Sequence, residues 1–271
     1  MSLTTTRFTP SALFRRRATA TTATVDTATP ARAAAPSRGV RTRDVLNVLA
    51  VVTALAVINV TAHFSQLAAV ATTVPVGVAI LLVIARANGM TWRDLGLGRH
   101  THGKGLLYGL GAAGLVVLAV GIGLAMPFTR EFFFNESYAS LRTALIAALV
   151  IIPLQTVLPE ELAFRGVLHG TLARMGGTKL VFFGSSLLFG LWHIASSLNL
   201  TASNAGLTAF LGSGTAAQWL GVGAAVVATA GAGAGLTWLR HHTGSVIAPI
   251  GLHWALNAVG ALAAAAAWQL L

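Results

Sequence analysis

Residues 143–172 read TALIAALVIIPLQTVLPEELAFRGVLHGTL, an apolar run long enough to cross a bilayer that carries Glu160, Glu161 and Arg165 in its middle. A charge at membrane depth costs several kcal/mol or more, so such residues face a protein interior or a water-filled cavity and mark functional sites. On a helix, positions four apart share a face. Glu161 and Arg165 therefore pair, and Glu160, rotated by about 100°, points elsewhere. Pro159 removes a backbone N–H just before the two carboxylates and is expected to kink or break the helix, making room for water and substrate beside Glu160.

The rest of the chain has the same character. Hydrophobic residues make up 55% of the 271 positions and charged residues 9%, too apolar for an ordinary soluble domain. Runs of roughly 20 apolar residues mark transmembrane helices. Candidates are 44–63, 67–86, 105–127, 143–172, 180–198, 217–239 and 245–268, giving an all-α, polytopic helical bundle of about seven spans. Three regions follow: a basic N-terminal tail at 1–43, expected to be disordered; membrane helices at 44–142; and helices at 143–271 that carry the unusual polar residues. Gly105, Gly109, Gly111 and Gly114, then Gly221, Gly223, Gly231, Gly233 and Gly235, are expected to let helix backbones approach closely.

The net charge of +11 follows the loops rather than forming a nucleic-acid surface. Eight arginines precede the first span; Arg86, Arg93, Arg99 and Lys104 lie between the second and third; Arg174 and Lys179 follow the fourth, and Arg240 the sixth. The alternate loops carry Arg130 and Arg142, offset by Glu131 and Glu136. This asymmetry predicts a multi-pass protein of the cell membrane, with a cytoplasmic N-terminus and a C-terminus outside. The basic excess then sets orientation and contacts the lipid bilayer, with no nucleic-acid partner. The segment Arg130 to Arg142 is open to a second reading, as an amphipathic helix roofing a cavity. No cysteine is present, which excludes disulfides and thiolate chemistry.

Polar side chains inside the spans are few. They are Asn59; Gln155, Glu160, Glu161, Arg165 and His169; His193; Gln218; and His253 with Asn257. The default for Asn59 is interhelical hydrogen bonding. Glu160 lies roughly 18 Å from the cytoplasmic end of its span, His193 roughly 20 Å and His253 roughly 12 Å, at 1.5 Å per residue. Glu160, His193, His253 and Asn257 are thus expected in one cavity reached from the cytoplasm. A carboxylate beside an imidazole can hold and deprotonate water. His253 and Asn257, on one helix face, suit the stabilisation of an oxyanion, and together the four suggest hydrolysis of an amide bond.

Three stretches carry a family resemblance: Glu160-Glu161-Leu162-Ala163-Phe164-Arg165, Phe189-Gly190-Leu191-Trp192-His193, and His253-Trp254-Ala255-Leu256-Asn257. They resemble the E-E-x-x-x-R, F-x-x-x-H and H-x-x-x-N/D motifs of the CAAX protease and bacteriocin-processing (Abi) family, which includes the type II CAAX prenyl endopeptidases. The likeness covers roughly 143–260. It implies an intramembrane endopeptidase in which Glu160 and His193 activate water and His253 and Asn257 form the oxyanion site. Glu161 and Arg165 would hold the helix, and Phe189 would pack beside His193. The family is described both as metalloproteases and as glutamate-dependent, so a cofactor is left open. Zinc on Glu160, His193 and His253 is one reading, although the H-E-x-x-H pattern of a zinc helix is absent. Family members act on prenylated C-termini, in peptide maturation or in self-immunity, and the motifs do not choose among these. Other readings are a proton-coupled transporter, a non-catalytic immunity or partner protein, and a serine protease using Ser185 or Ser186 with His253, which leaves the glutamates unexplained.

Overall fold

The computed structural model describes residues 42–64 and 70–270, so all but the last two residues of the basic tail lie outside the described residues. Every regular element within them is helical. The principal helices are α1 (Thr42–Phe64), α2 (Val70–Ala87), α3 (His102–Ala125), α4 (Leu141–Met175), α5 (Thr178–Trp192), α6 (Ala205–Leu211), α7 (Thr215–Thr243) and α8 (Ile247–Gln269). α1, α3, α4, α7 and α8 are long and apolar enough to cross a membrane, and α2 and α5 are shorter apolar helices. The seven apolar runs all become helices. The fifth does not reach residue 198: it ends at Trp192, and single turns follow.

Small residues decide the closest packing. A Cβ added at Gly251 in α8 would stand 2.9 Å from the Gly109 Cα in α3, and one at Gly190 in α5 would stand 2.7 Å from the Val226 carbonyl oxygen in α7. Gly105, Gly221 and Gly233 are similarly crowded. Gly111, Gly114, Gly223, Gly231 and Gly235 are not, since a Cβ at any of them meets nothing within 4 Å. The small residues pack only where they face another helix, so a count of glycines overstates the interface.

α4 does not break at Pro159. It continues as wide π-helical turns over Ala147–Val157 and Leu162–Leu168, with one tighter turn, Leu158–Glu161, between them. Pro153 and Pro159 each remove a donor, and a widened turn is one way a helix accommodates such a gap at membrane depth.

One end of the helices carries the basic connections, and here the loop 88–101 is fastened to α4 and α7. Arg240, read above as a loop charge, is buried, and its guanidinium donates to the carbonyls of Arg165 (3.0 Å) and Asp94 (2.9 Å). Arg174 donates to the Gly89 carbonyl and to the Asp94 carboxylate at 3.1 Å. Partial burial pushes the Asp94 carboxyl up, but the Thr91 amide and hydroxyl and the Arg174 guanidinium outweigh it and hold it below its ordinary value. A lowered folded-state value contributes stability above the ordinary carboxylate range and loses it as pH falls through that lowered value. Asp94→Asn is expected to cost no more than about 1 kcal/mol, because the ion pair is half exposed. Thermal unfolding against pH should show wild type and variant converging in acid.

At the opposite end, the segment 126–140 is not one amphipathic helix. It forms single turns at Pro127–Arg130, Glu131–Phe133 and Glu136–Tyr138. The turns are tied to 193–214 by Asn204, whose side chain donates to the Phe132 carbonyl at 3.2 Å. Roofing is thereby achieved by turns held from outside rather than by a continuous helix.

Candidate active site

The tight turn of α4 places Glu160 and Glu161 side by side, both buried. Glu161 Oε1 accepts from Arg165 at 2.9 Å, as its spacing predicts, and both side chains are inaccessible to solvent. The same oxygen stands 2.8 Å from His253 Nδ1. Glu161 is therefore more than the counter-ion of Arg165: it fixes the ring of His253 on α8. Since a carboxylate can only accept, Nδ1 carries the hydrogen and, in the neutral ring, Nε2 is left as an acceptor.

Glu160 is held by a residue that the sequence reading passed over. The Trp192 indole N–H donates to Glu160 Oε1 at 3.0 Å, and the Trp192 backbone carbonyl receives Asn59 Nδ2 from α1 at 3.0 Å. Asn59 is interhelical glue, as expected, and it secures the end of α5 beside the site. In the sequence Trp192 is merely the residue before His193 in an aromatic-rich chain, so only the fold shows its aim. Glu160 Oε2 has no partner although it is buried, and it lies 3.9 Å from His253 Nε2. Trp192→Phe keeps the edge-to-face contact with Phe164 but removes the indole donor. Loss of a hydrogen bond to a charged group is worth roughly tenfold in turnover, and an unchanged rate for this variant would deny Trp192 a role in positioning Glu160.

His193 lies beside the site without a hydrogen bond to Glu160. Its Nδ1 donates to the Phe189 carbonyl at 2.8 Å, and no hydrogen bond joins it to either glutamate. Phe189 is the hub of the site rather than padding beside one histidine. Its ring lies edge-to-face with His193 (centroids 4.7 Å apart), His253 (5.7 Å) and Phe164 (5.1 Å), and the Arg165 guanidinium stacks 4.1 Å from its centre. Asn257, one turn beyond His253, donates back to the His253 carbonyl at 3.2 Å. It also lines a cavity of about 330 Å³, together with Thr156, Ile152, Tyr138, Phe132 and Asn204. That cavity lies toward the end carrying 126–140 and 193–214, and Glu160, His193 and His253 are not among its lining residues.

No three histidine, aspartate or glutamate side chains among the described residues are arranged to hold a metal ion. His253 and His193 each bond through Nδ1, to Glu161 and to a carbonyl, which leaves both Nε2 atoms free. The serine reading also finds no support in contacts: Ser186 donates to the Phe182 carbonyl and Ser185 has no partner.

Residues 142–259 match one family, described as type II CAAX prenyl endopeptidase Rce1-like. That segment is Rce1-like. It contains every residue of the three motifs, and the Rce1-like match supports a membrane protease acting on a peptide or protein substrate. The first three helices lie outside the Rce1-like segment, yet α1 reaches into the site through Asn59. Comparison with curated proteins and with solved structures gave no match.

Proposed function

We propose that this chain is an intramembrane endopeptidase in which Glu160 activates the attacking water. One observation carries the reading: a buried carboxylate oxygen without a partner, facing His253 Nε2 across 3.9 Å. That separation suits a single bridging water. With Nδ1–H donated to Glu161, both Glu160 Oε2 and His253 Nε2 are acceptors, so each takes one hydrogen of the water and its lone pairs are left for the substrate carbonyl. The proton passes to Glu160 Oε2 as the oxygen attacks the carbonyl carbon. Glu160 then returns the proton to the departing amine as the C–N bond breaks. The Asn257 amide stabilises the oxyanion in between, and His193 keeps Nε2 free for the substrate. In this reading His253 rather than His193 is the partner of Glu160, and no step requires a metal.

The test is product analysis. The full chain in liposomes, incubated with membrane-anchored peptides in heavy-oxygen water, should yield new C-termini that carry the label. Absence of any new terminus relative to empty liposomes would sink the proposal.

A further inference from the structure

We infer that the crevice between α1, α2 and α4 at the basic end holds one phospholipid whose headgroup carries a phosphate and a primary amine. Three observations support this, and none of them depends on the peptidase reading.

The first is the shape of the space. Deeper in the membrane α1 and α2 meet closely, since a Cβ added at Gly77 would stand 2.7 Å from the Ile58 side chain. Toward the basic end they enclose, with α4, a cavity of about 230 Å³. Small residues make the room: Ala50 and Ala54 on one face of α1, and Ala85 on α2. That volume corresponds to roughly eight waters. A headgroup and the first carbons of a chain fit it, and a folded partner does not.

The second is the change of polarity with depth. Arg43, Asp44 and Asn47 in the first turns of α1 form the mouth, with Asn88 and Arg174 opposite. The inner wall is made by Val51, Ala54, Leu81 and Val167, and the Thr171 hydroxyl there is taken up by the Val167 carbonyl at 2.7 Å. A charged rim over a hydrocarbon floor matches an amphiphile. A soluble anion leaves the floor empty, and a bare acyl chain leaves the rim unpaired.

The third is charge. Arg174 is already shared among the Asn88 and Gly89 carbonyls and the Asp94 carboxylate. Among the described residues, the side chains of Arg43 and Asp44 have no hydrogen-bond or ion-pair partner. One cation and one anion side by side, both unpaired, fit a zwitterion. The Arg43 guanidinium takes the phosphate, while the Asp44 carboxylate and the Asn47 amide oxygen accept from the ammonium group. A choline headgroup has no N–H to donate, and an anionic glycerol headgroup would set its phosphate against Asp44 with no cation between them. Residues 1–41 suit the rim less well, because they carry seven arginines against one aspartate and would bring further cations to Arg43. The lipid would brace α4, the helix of the two glutamates, against two helices that lie outside the Rce1-like segment.

The full chain, purified and returned to vesicles of phosphatidylcholine alone, or with added phosphatidylethanolamine or phosphatidylglycerol, tests this without any peptide cleavage. One phosphatidylethanolamine should be retained per chain in native mass spectrometry, and the thermal midpoint should be highest with that lipid. Arg43→Gln and Asp44→Asn should each lower its retention roughly tenfold, as expected for a lost hydrogen bond to a charged group. Ala54→Phe should block retention by filling the crevice. Lys179→Gln, beside a different cavity at the same end, should change nothing. Arg43 is exposed, so its variant carries the test even where Ala54→Phe does not fold. Equal retention of the three lipids, a preference for phosphatidylglycerol, or retention untouched by Arg43→Gln overturns the inference. So does a midpoint that rises with phosphatidylethanolamine equally in wild type and Arg43→Gln, which would make the effect one of the bilayer as a whole.

Discussion

Glu160→Gln is expected to lower peptide cleavage by roughly a thousandfold while leaving the folded protein intact. The carboxamide oxygen can still accept from the Trp192 indole, so the 3.0 Å hydrogen bond that orients the side chain is retained. What disappears is the acceptor at Oε2, replaced by an amide that cannot take a proton from water. A factor of a thousand is about 4 kcal/mol of transition-state stabilisation, within the range of a lost general base. The variant should also be no less stable, because it removes a buried charge that has no cation of its own. Cleavage rates in liposomes and the thermal midpoint of the purified protein separate the two effects. Undiminished cleavage would leave Glu160 as a structural anchor for Trp192 and nothing more.

The second large effect falls on stability. Arg165→Met strips Glu161 of the guanidinium that shares its buried oxygen, and breaking a buried pair from one side costs about 3–5 kcal/mol. The double variant Glu161→Gln with Arg165→Met removes both charges and should recover most of that loss, since an uncharged pair of similar volume suits the same dry layer. Activity should not recover with it. His253 would then face a carboxamide in place of the carboxylate at 2.8 Å, and its tautomer would no longer be fixed. Equal destabilisation of single and double variants would instead assign the work of Arg165 to its contacts with the Gly233 carbonyl and the Phe189 ring.

These two predictions divide the glutamates by a geometry that was only half legible in the sequence. Spacing along α4 is local, so the pairing of Glu161 with Arg165 could be read directly, as could the separation of Glu160 onto another face. Partners from other helices could not. Helical periodicity says which residues share a stripe but not which stripe it meets, and so His253 was set with Asn257 although its ring is bound to Glu161. Burial of Arg240 was hidden for a similar reason: a cation at the end of an apolar run looks the same whether it meets water or two carbonyls. The end of α5 is hidden in the same way: the apolar run continues to residue 198, whereas the helix ends at Trp192 and His193 caps it. The seven apolar runs were the easier part, because a bilayer imposes length and composition on any helix that crosses it.

The early end of α5 has one more consequence. Fifteen residues of helix extend about 22 Å, against roughly 30 Å of hydrocarbon. The remaining thickness is crossed by turns whose peptide groups bond to one another and to Gln218 and Thr208, a backbone that survives at such depth only in the shelter of protein. The stretch after α5 therefore depends on Gln218 and Thr208 for what a helix would supply from within itself.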